Sequence, residues 1–121
     1  MSRLAVCREA EVEAGGLKPV QVGRVKVLLT RLPDGRVGAF AARCPHQGAD
    51  LETGCVVRFV EGDRPGRLRV DAGRAVVRCP WHGFEYFAET GEPAVPSPAH
   101  RRLRLRTYAV EIDGGDVVIV T

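Results

Sequence analysis

Two short segments carry the residues best suited to hold an inorganic centre: Cys44-Pro45-His46-Gln47-Gly48 and Cys79-Pro80-Trp81-His82-Gly83-Phe84. Each offers one thiolate and one imidazole, the first as Cys-x-His and the second as Cys-x-x-His. Two such loops facing one another would present two sulfurs and two nitrogens to one metal or metal cluster. The proline after each cysteine stiffens its loop. The glycine that follows lets backbone amides approach the sulfur atoms, and a cluster of net negative charge needs those hydrogen bonds.

The remainder of the chain agrees with metal chemistry in a reducing compartment. Its 121 residues are 45% hydrophobic and 27% charged, a globular balance that excludes disordered and collagen-like classes. The length suits a single domain, residues 1–121. The longest apolar runs, such as Val117–Val120, fall far short of the ~18–20 residues that cross a bilayer. Arg8 and Glu9 interrupt the N-terminus before a signal segment forms. A cytoplasmic protein with no membrane partner is expected, and there four cysteines point to metal or redox chemistry instead of structural disulfides. The net charge of +3 comes from 18 basic residues, all arginine except Lys18 and Lys26. They are interleaved with acids and lack aromatic stacking positions between them, so no nucleic acid is expected as a partner.

The elements that must position the two loops read as short strands. Val25–Leu32 alternates as a strand, Pro33-Asp34-Gly35-Arg36 is a turn, and Val37–Ala41 is the hairpin partner. Arg102–Ile112 reads as a long alternating strand, turned by Asp113-Gly114-Gly115-Asp116 into Val117–Val120. Val56–Val60, Leu68–Val70 and Ala75–Arg78 are weaker strands, separated by Gly62–Gly66 and by Asp71-Ala72-Gly73. Val95-Pro96-Ser97-Pro98 reads as a rigid loop. No stretch sustains helical periodicity for three turns, so the fold class is all-β.

With Cys-x-His and Cys-x-x-His in place, the sequence resembles the Rieske family. The phrase Cys79-Pro80-Trp81-His82-Gly83-Phe84-Glu85-Tyr86, then Thr90-Gly91-Glu92 and a proline loop, extend the likeness over most of the chain. The resemblance implies stacked antiparallel sheets with a small cluster-binding subdomain at about residues 43–98. It implies a [2Fe–2S] cluster, with Cys44 and Cys79 on one iron and His46 and His82 on the other. Two neutral histidines leave such a cluster less negative than an all-cysteine one and raise its potential. Tyr86 matches a tyrosine position that can bond a ligand sulfur. The extra cysteine pair of the high-potential respiratory type is missing, since Ala49 and Trp81 stand there, and Phe84 stands where that type has a serine.

The function implied is that of a soluble Rieske ferredoxin, a one-electron carrier without a substrate site of its own. Its partners would be a flavin-containing reductase and an oxygenase or similar terminal enzyme. Three histidines, two of them spent on the cluster, leave only His100, too few for the second iron site of an oxygenase. Between His46 and Cys79 lie 32 residues, an excess that fits an inserted hairpin over Val56–Val77. Two other readings remain open at this point. One is a small Rieske subunit of a nitrite-reductase-like complex; the other is a Cys₂His₂ zinc site stapling an interaction module.

Other candidates have plainer expectations. Cys7 and Cys55 read as small buried apolar residues. His100 reads as a solvated loop residue, and Arg101–Arg106 as a charged strand face that blunts a sheet edge or docks an acidic partner. Trp81 is expected to shield the cluster, and Gln47 and Phe84 to touch a partner.

Overall fold

A computed structural model describes residues 2–46, 48–62, 66, 68–81, 83–94 and 103–121. Nine strands run in the order β1 (Arg3–Arg8), β2 (Lys18–Val22), β3 (Val25–Arg31), β4 (Val37–Ala41), β5 (Cys55–Gly62), β6 (Leu68–Arg78), β7 (Glu85–Phe87), β8 (Thr107–Asp113) and β9 (Asp116–Val120). They form two antiparallel sheets, one ordered β1-β9-β8-β4-β3-β2 and the other β5-β6-β7. The all-β architecture of antiparallel sheets expected from the sequence is therefore the one observed.

Strand β3 explains how the layers are joined. Val27 and Leu29 face one core with Val12, Val37, Val117 and Ile119, inside the six-stranded sheet. Leu28, pointing the other way, joins Phe40, Leu51, Val77, Tyr86 and Leu105 in a second core between the sheets. A strand apolar on both faces must be covered on both faces, and residues Val27 to Thr30 are fully buried. The second core also contains Cys44 and Cys79, so the packing that joins the sheets is the packing that holds the two cysteines.

The β5–β6 hairpin occupies the expected insert, though its internal turn does not. Asp71-Ala72-Gly73 lies within β6, where the register steps from Arg58↔Ala75 to Phe59↔Asp71 and leaves residues 72–74 as a bulge. Turn chemistry makes the bulge: the Asp71 carboxylate accepts the Gly73 amide at 3.0 Å and the Arg74 Nε at 2.7 Å. The Arg74 guanidinium then sits 4.8 Å from the centroids of both Phe59 and Phe87. One local signal thus serves a bulge as readily as a chain reversal. Beyond the bulge the hairpin leaves the core, and Val60, Leu68 and Val70 are exposed.

The strand expected over Arg102–Ile112 begins only at Thr107. Upstream, Leu105 is buried and donates its amide to the Gly91 carbonyl at 2.8 Å, while Arg104 and Arg106 stand in solvent. Pairing, not alternation, sets this boundary. Because β8 lies between β4 and β9, Arg104 and Arg106 do not blunt a sheet edge. Arg101, Arg102, His100 and the Val95–Pro98 segment lie outside the described residues. Strands β1, β2 and β7 had no clear sequence signal. Strand β1 is mostly exposed and is held to β9 by pairing, with Arg3 and Arg8 bonded to Glu111 and Asp116.

Candidate metal centre

Both cysteines sit just beyond strand ends, in loops closed by their own backbones. In the first, the Cys44 amide donates to the Ala49 carbonyl at 2.9 Å and the Gly48 amide to the Cys44 carbonyl at 2.8 Å. Gly48 has φ +76°, a left-handed conformation that suits glycine. In the second, the Cys79 amide donates to the Phe84 carbonyl at 2.7 Å.

Thirty-five positions apart in sequence, Cys44 and Cys79 are both buried in the same core cluster, and their thiols influence one another electrostatically. Each sulfur has a further polar partner. The Tyr86 hydroxyl lies 3.3 Å from Cys44 Sγ, and the Trp81 amide donates to Cys79 Sγ at 3.4 Å. His46, half-buried, packs its ring against Phe84 with centroids 4.3 Å apart, so the first loop also touches the second through an aromatic contact. His82 and Gln47 lie outside the described residues. Among those described, no three His, Cys, Asp or Glu side chains are grouped closely enough to hold one metal ion; the cysteines meet as a pair, with His46 and Phe84 packed together.

The electrostatics of this pair favour a cation. Burial pushes the Cys79 thiol above its ordinary value, the Trp81 amide opposes that shift, and Cys44 adds to it. Burial, then Cys44, also holds the Tyr86 phenol well above the usual range, so Tyr86 stays protonated and can serve as a donor. Two adjacent buried thiols cannot both ionise without a compensating positive charge. A metal supplies that charge and expels the protons. The donor set thus fits an iron-bound thiolate pair whose sulfurs accept hydrogen bonds.

The other cysteines depart from expectation. Cys55 is exposed, while Cys7 is partly buried and packs against the core of the six-stranded sheet; both are free thiols. Trp81 is 51% exposed; it serves the site through its backbone amide, while its ring is no full shield. The ring contact between Phe84 and His46 had no signal in the spacing, because it joins two loops that only the fold brings together.

Residues 2–109 match the Rieske [2Fe-2S] domain family. The chain belongs to that family. Its cofactor is accordingly a Rieske-type [2Fe–2S] cluster, which when bound supplies one-electron storage. This Rieske chain is 36% identical to apoptosis-inducing factor 3 of Homo sapiens over 88 residues, which are 73% of this chain and 12% of that protein. It thus spans only a small part of that relative. It is 29% identical over 119 residues to the 3-phenylpropionate/cinnamic acid dioxygenase ferredoxin subunit of Shigella flexneri, covering 98% of this chain and 93% of that one. A solved complex of reduced oxygenase and oxidized ferredoxin in carbazole 1,9a-dioxygenase contains a chain 26% identical, with a TM-score of 0.70, covering 98% of this Rieske chain and 92% of the other. Among the described residues no helix is long and apolar enough to cross a membrane.

Proposed function

We propose that this chain is a cytoplasmic one-electron carrier, a ferredoxin that takes electrons from a flavin-containing reductase and passes them to an oxygenase or similar terminal enzyme. Cys44 and Cys79 would hold one iron of its cluster, and His46 and His82 the other. The chain would act as a single domain, 1–121, with residues 43–98 as its cluster-binding part. It would bind no substrate of its own.

The observation that carries this reading is the buried Cys44–Cys79 pair, brought together from two loops and given the Tyr86 hydroxyl and the Trp81 amide as partners. Hydrogen bonds to cluster sulfur favour the more negative, reduced state and so tune a potential. A merely structural metal site has no need of that tuning. Likeness over nearly the full length of both chains to a dioxygenase ferredoxin subunit supports the choice of partners.

The test is visible absorption and EPR of the anaerobically purified protein, oxidised and dithionite-reduced. The expected result is a coloured protein that gives a rhombic signal of low average g on reduction. A colourless, EPR-silent protein that retains zinc after iron–sulfur reconstitution would overturn the proposal.

A further inference from the structure

The largest cleft described lies outside the cysteine pair. It is open, about 510 Å³, and is lined by Arg24, Lys26, Arg43, Asp50, Arg106 and Tyr108 among others. Four cations share it with one carboxylate. Asp50 is already committed, accepting from Lys26 Nζ at 2.7 Å, and Lys26 is bonded further to Glu52 at 2.8 Å. Those contacts satisfy the lysine; Asp50 also feels the charge of Arg43, so the cleft keeps three guanidinium groups against one shared carboxylate.

Elsewhere on the surface arginines are commonly matched with acids. Arg3 meets Glu111, Arg8 meets Asp116, Arg36 meets Asp34 and Glu89, and Arg78 meets Glu85. Among the described residues no carboxylate lies within salt-bridge distance of Arg24, Arg43 or Arg106. Two of these are nevertheless anchored. The Arg106 guanidinium lies 4.8 Å from the Tyr108 ring centroid, and Arg43 Nη1 donates to the Gly48 carbonyl at 3.2 Å. Neither anchor neutralises charge. Planar forks held over an open cleft are suited to carboxylates, which they can grip with paired N–H donors.

We propose that this cleft, walled by Arg24, Arg43 and Arg106, is a docking site for an acidic segment of the protein that exchanges electrons with this chain. The proposal rests on the electron-carrier reading and adds where, and through what chemistry, the partner binds. Charge complementarity argues for a protein carboxylate: the cleft's excess of arginine steers an acidic partner and fixes its orientation, at little desolvation cost while the cleft stays open. The position adds to the argument. Arg43 adjoins Cys44 and is bonded to the carbonyl of Gly48, so a carboxylate held there presses on the first cysteine loop itself.

Dye-labelled hexaglutamate is the binding probe, titrated by fluorescence anisotropy into the iron–sulfur-loaded protein, with inorganic phosphate, citrate and a short single-stranded DNA as competitors. The variants are Arg24→Glu, Arg106→Glu and their combination. Arg104→Glu is the control, since Arg104 is exposed, donates to the Thr90 carbonyl at 3.3 Å, and is not among the residues lining this cleft. The expected result is at least a tenfold loss of hexaglutamate affinity in the combined variant and less than about twofold in Arg104→Glu. Raising ionic strength from about 0.02 to 0.2 M should weaken the wild type and barely move the combined variant. In stopped-flow reduction by a purified flavin-containing ferredoxin reductase, the combined variant should lose about tenfold in second-order rate at low salt.

Equal losses in Arg104→Glu would overturn the proposal in favour of diffuse charge. Phosphate or citrate displacing the peptide at similar concentrations would replace it with a small-anion pocket, and tighter binding of the oligonucleotide would replace it with a nucleic-acid surface. Visible and EPR spectra of every variant keep the two readings apart. A protein without a cluster fails the electron-carrier reading, whereas an intact cluster with hexaglutamate indifferent to the cleft arginines fails the docking site alone.

Discussion

The two cysteine loops look alike in sequence, and the structure supports them in different ways. The loop after Cys79 finds a partner for its sulfur two residues away, in the Trp81 amide. The loop after Cys44 is closed by its own backbone but takes its second sulfur partner from Tyr86, on β7 of the other sheet. One sulfur environment is therefore local and survives as long as its loop does. The other depends on the two sheets staying packed. Both cysteines share the core between the sheets, but Cys44 takes a side-chain partner from the other sheet while the amide donor to Cys79 comes from its own loop.

The largest effect should erase the contrast. Cys44→Ala and Cys79→Ala, which leave no donor atom, are each expected to abolish the cluster, seen as loss of visible absorption and of the reduced EPR signal. If either kept a full complement of iron, that cysteine would not be a ligand.

Crowding should separate the loops by stability. A Cβ at Gly54 would lie 2.1 Å from the Arg78 carbonyl oxygen, at the stem of the second loop, where no flexible side chain can yield. Gly54→Ala is expected to cost about 2–4 kcal/mol. At Gly48 in the first loop nothing lies within 4 Å of the added atom, so Gly48→Ala meets only the left-handed backbone, about 1 kcal/mol. Urea unfolding of both variants checks the order, and equal costs would mean that the second stem gives way more easily than its packing implies.

A smaller change should touch Cys44 alone. Tyr86→Phe removes a hydroxyl donor worth about 0.5–1.5 kcal/mol net, which for a one-electron couple is on the order of 20–60 mV. Losing the donor disfavours the reduced, more negative cluster, so the potential should fall by that amount. Protein-film voltammetry would show it, and an unchanged potential would mean that the hydroxyl does not bond the thiolate when iron is present.

The smallest effect concerns the segment linking the loops. Hydrogen bonds from Lys26 and from the Glu52 amide hold the Asp50 carboxyl below its ordinary value of 3.8. A depressed folded value means the contribution is in place above about pH 4 and is lost as pH falls through the folded pKa. Since these side chains are 31–45% exposed and so partly screened by solvent, Asp50→Asn should cost only a few tenths of a kcal/mol near neutrality. That difference from wild type should shrink towards zero in acid, measured by urea midpoints across pH.

Much of this was legible in the chain. Val25–Leu32 and Val37–Ala41 announced themselves because a strand buried on one or both faces needs apolar residues in a set rhythm. The observed pair, Val25–Arg31 with Val37–Ala41, differs by one residue. The cysteine loops were legible for another reason: ligand chemistry permits few residue types, and tight loops need proline and glycine beside them. Strand β1 was not legible, since it satisfies its backbone against β9 while most of its side chains face water. Nor was the start of β8, because Leu103 and Leu105 alternate with arginine just as the strand residues do, yet Leu105 bonds Gly91 and not a strand of the sheet. Asp71-Ala72-Gly73 carried a true signal for a sharp backbone bend, and only the pairing of β5 with β6 decided that the bend would be a bulge.

By itself the sequence determined the donor types, the loop chemistry around each cysteine, and the all-β class, because these depend on side-chain identity and on contacts a few residues long. The tertiary structure alone decided that Cys44 and Cys79 share one core, that Tyr86 reaches the first sulfur, that Phe84 lies on His46, and that three arginines from separate segments line one cleft with no described carboxylate at salt-bridge distance. Those facts follow from how β3 is covered on both faces and how β7 packs beneath the first loop, and no spacing along a chain encodes a distance across two sheets.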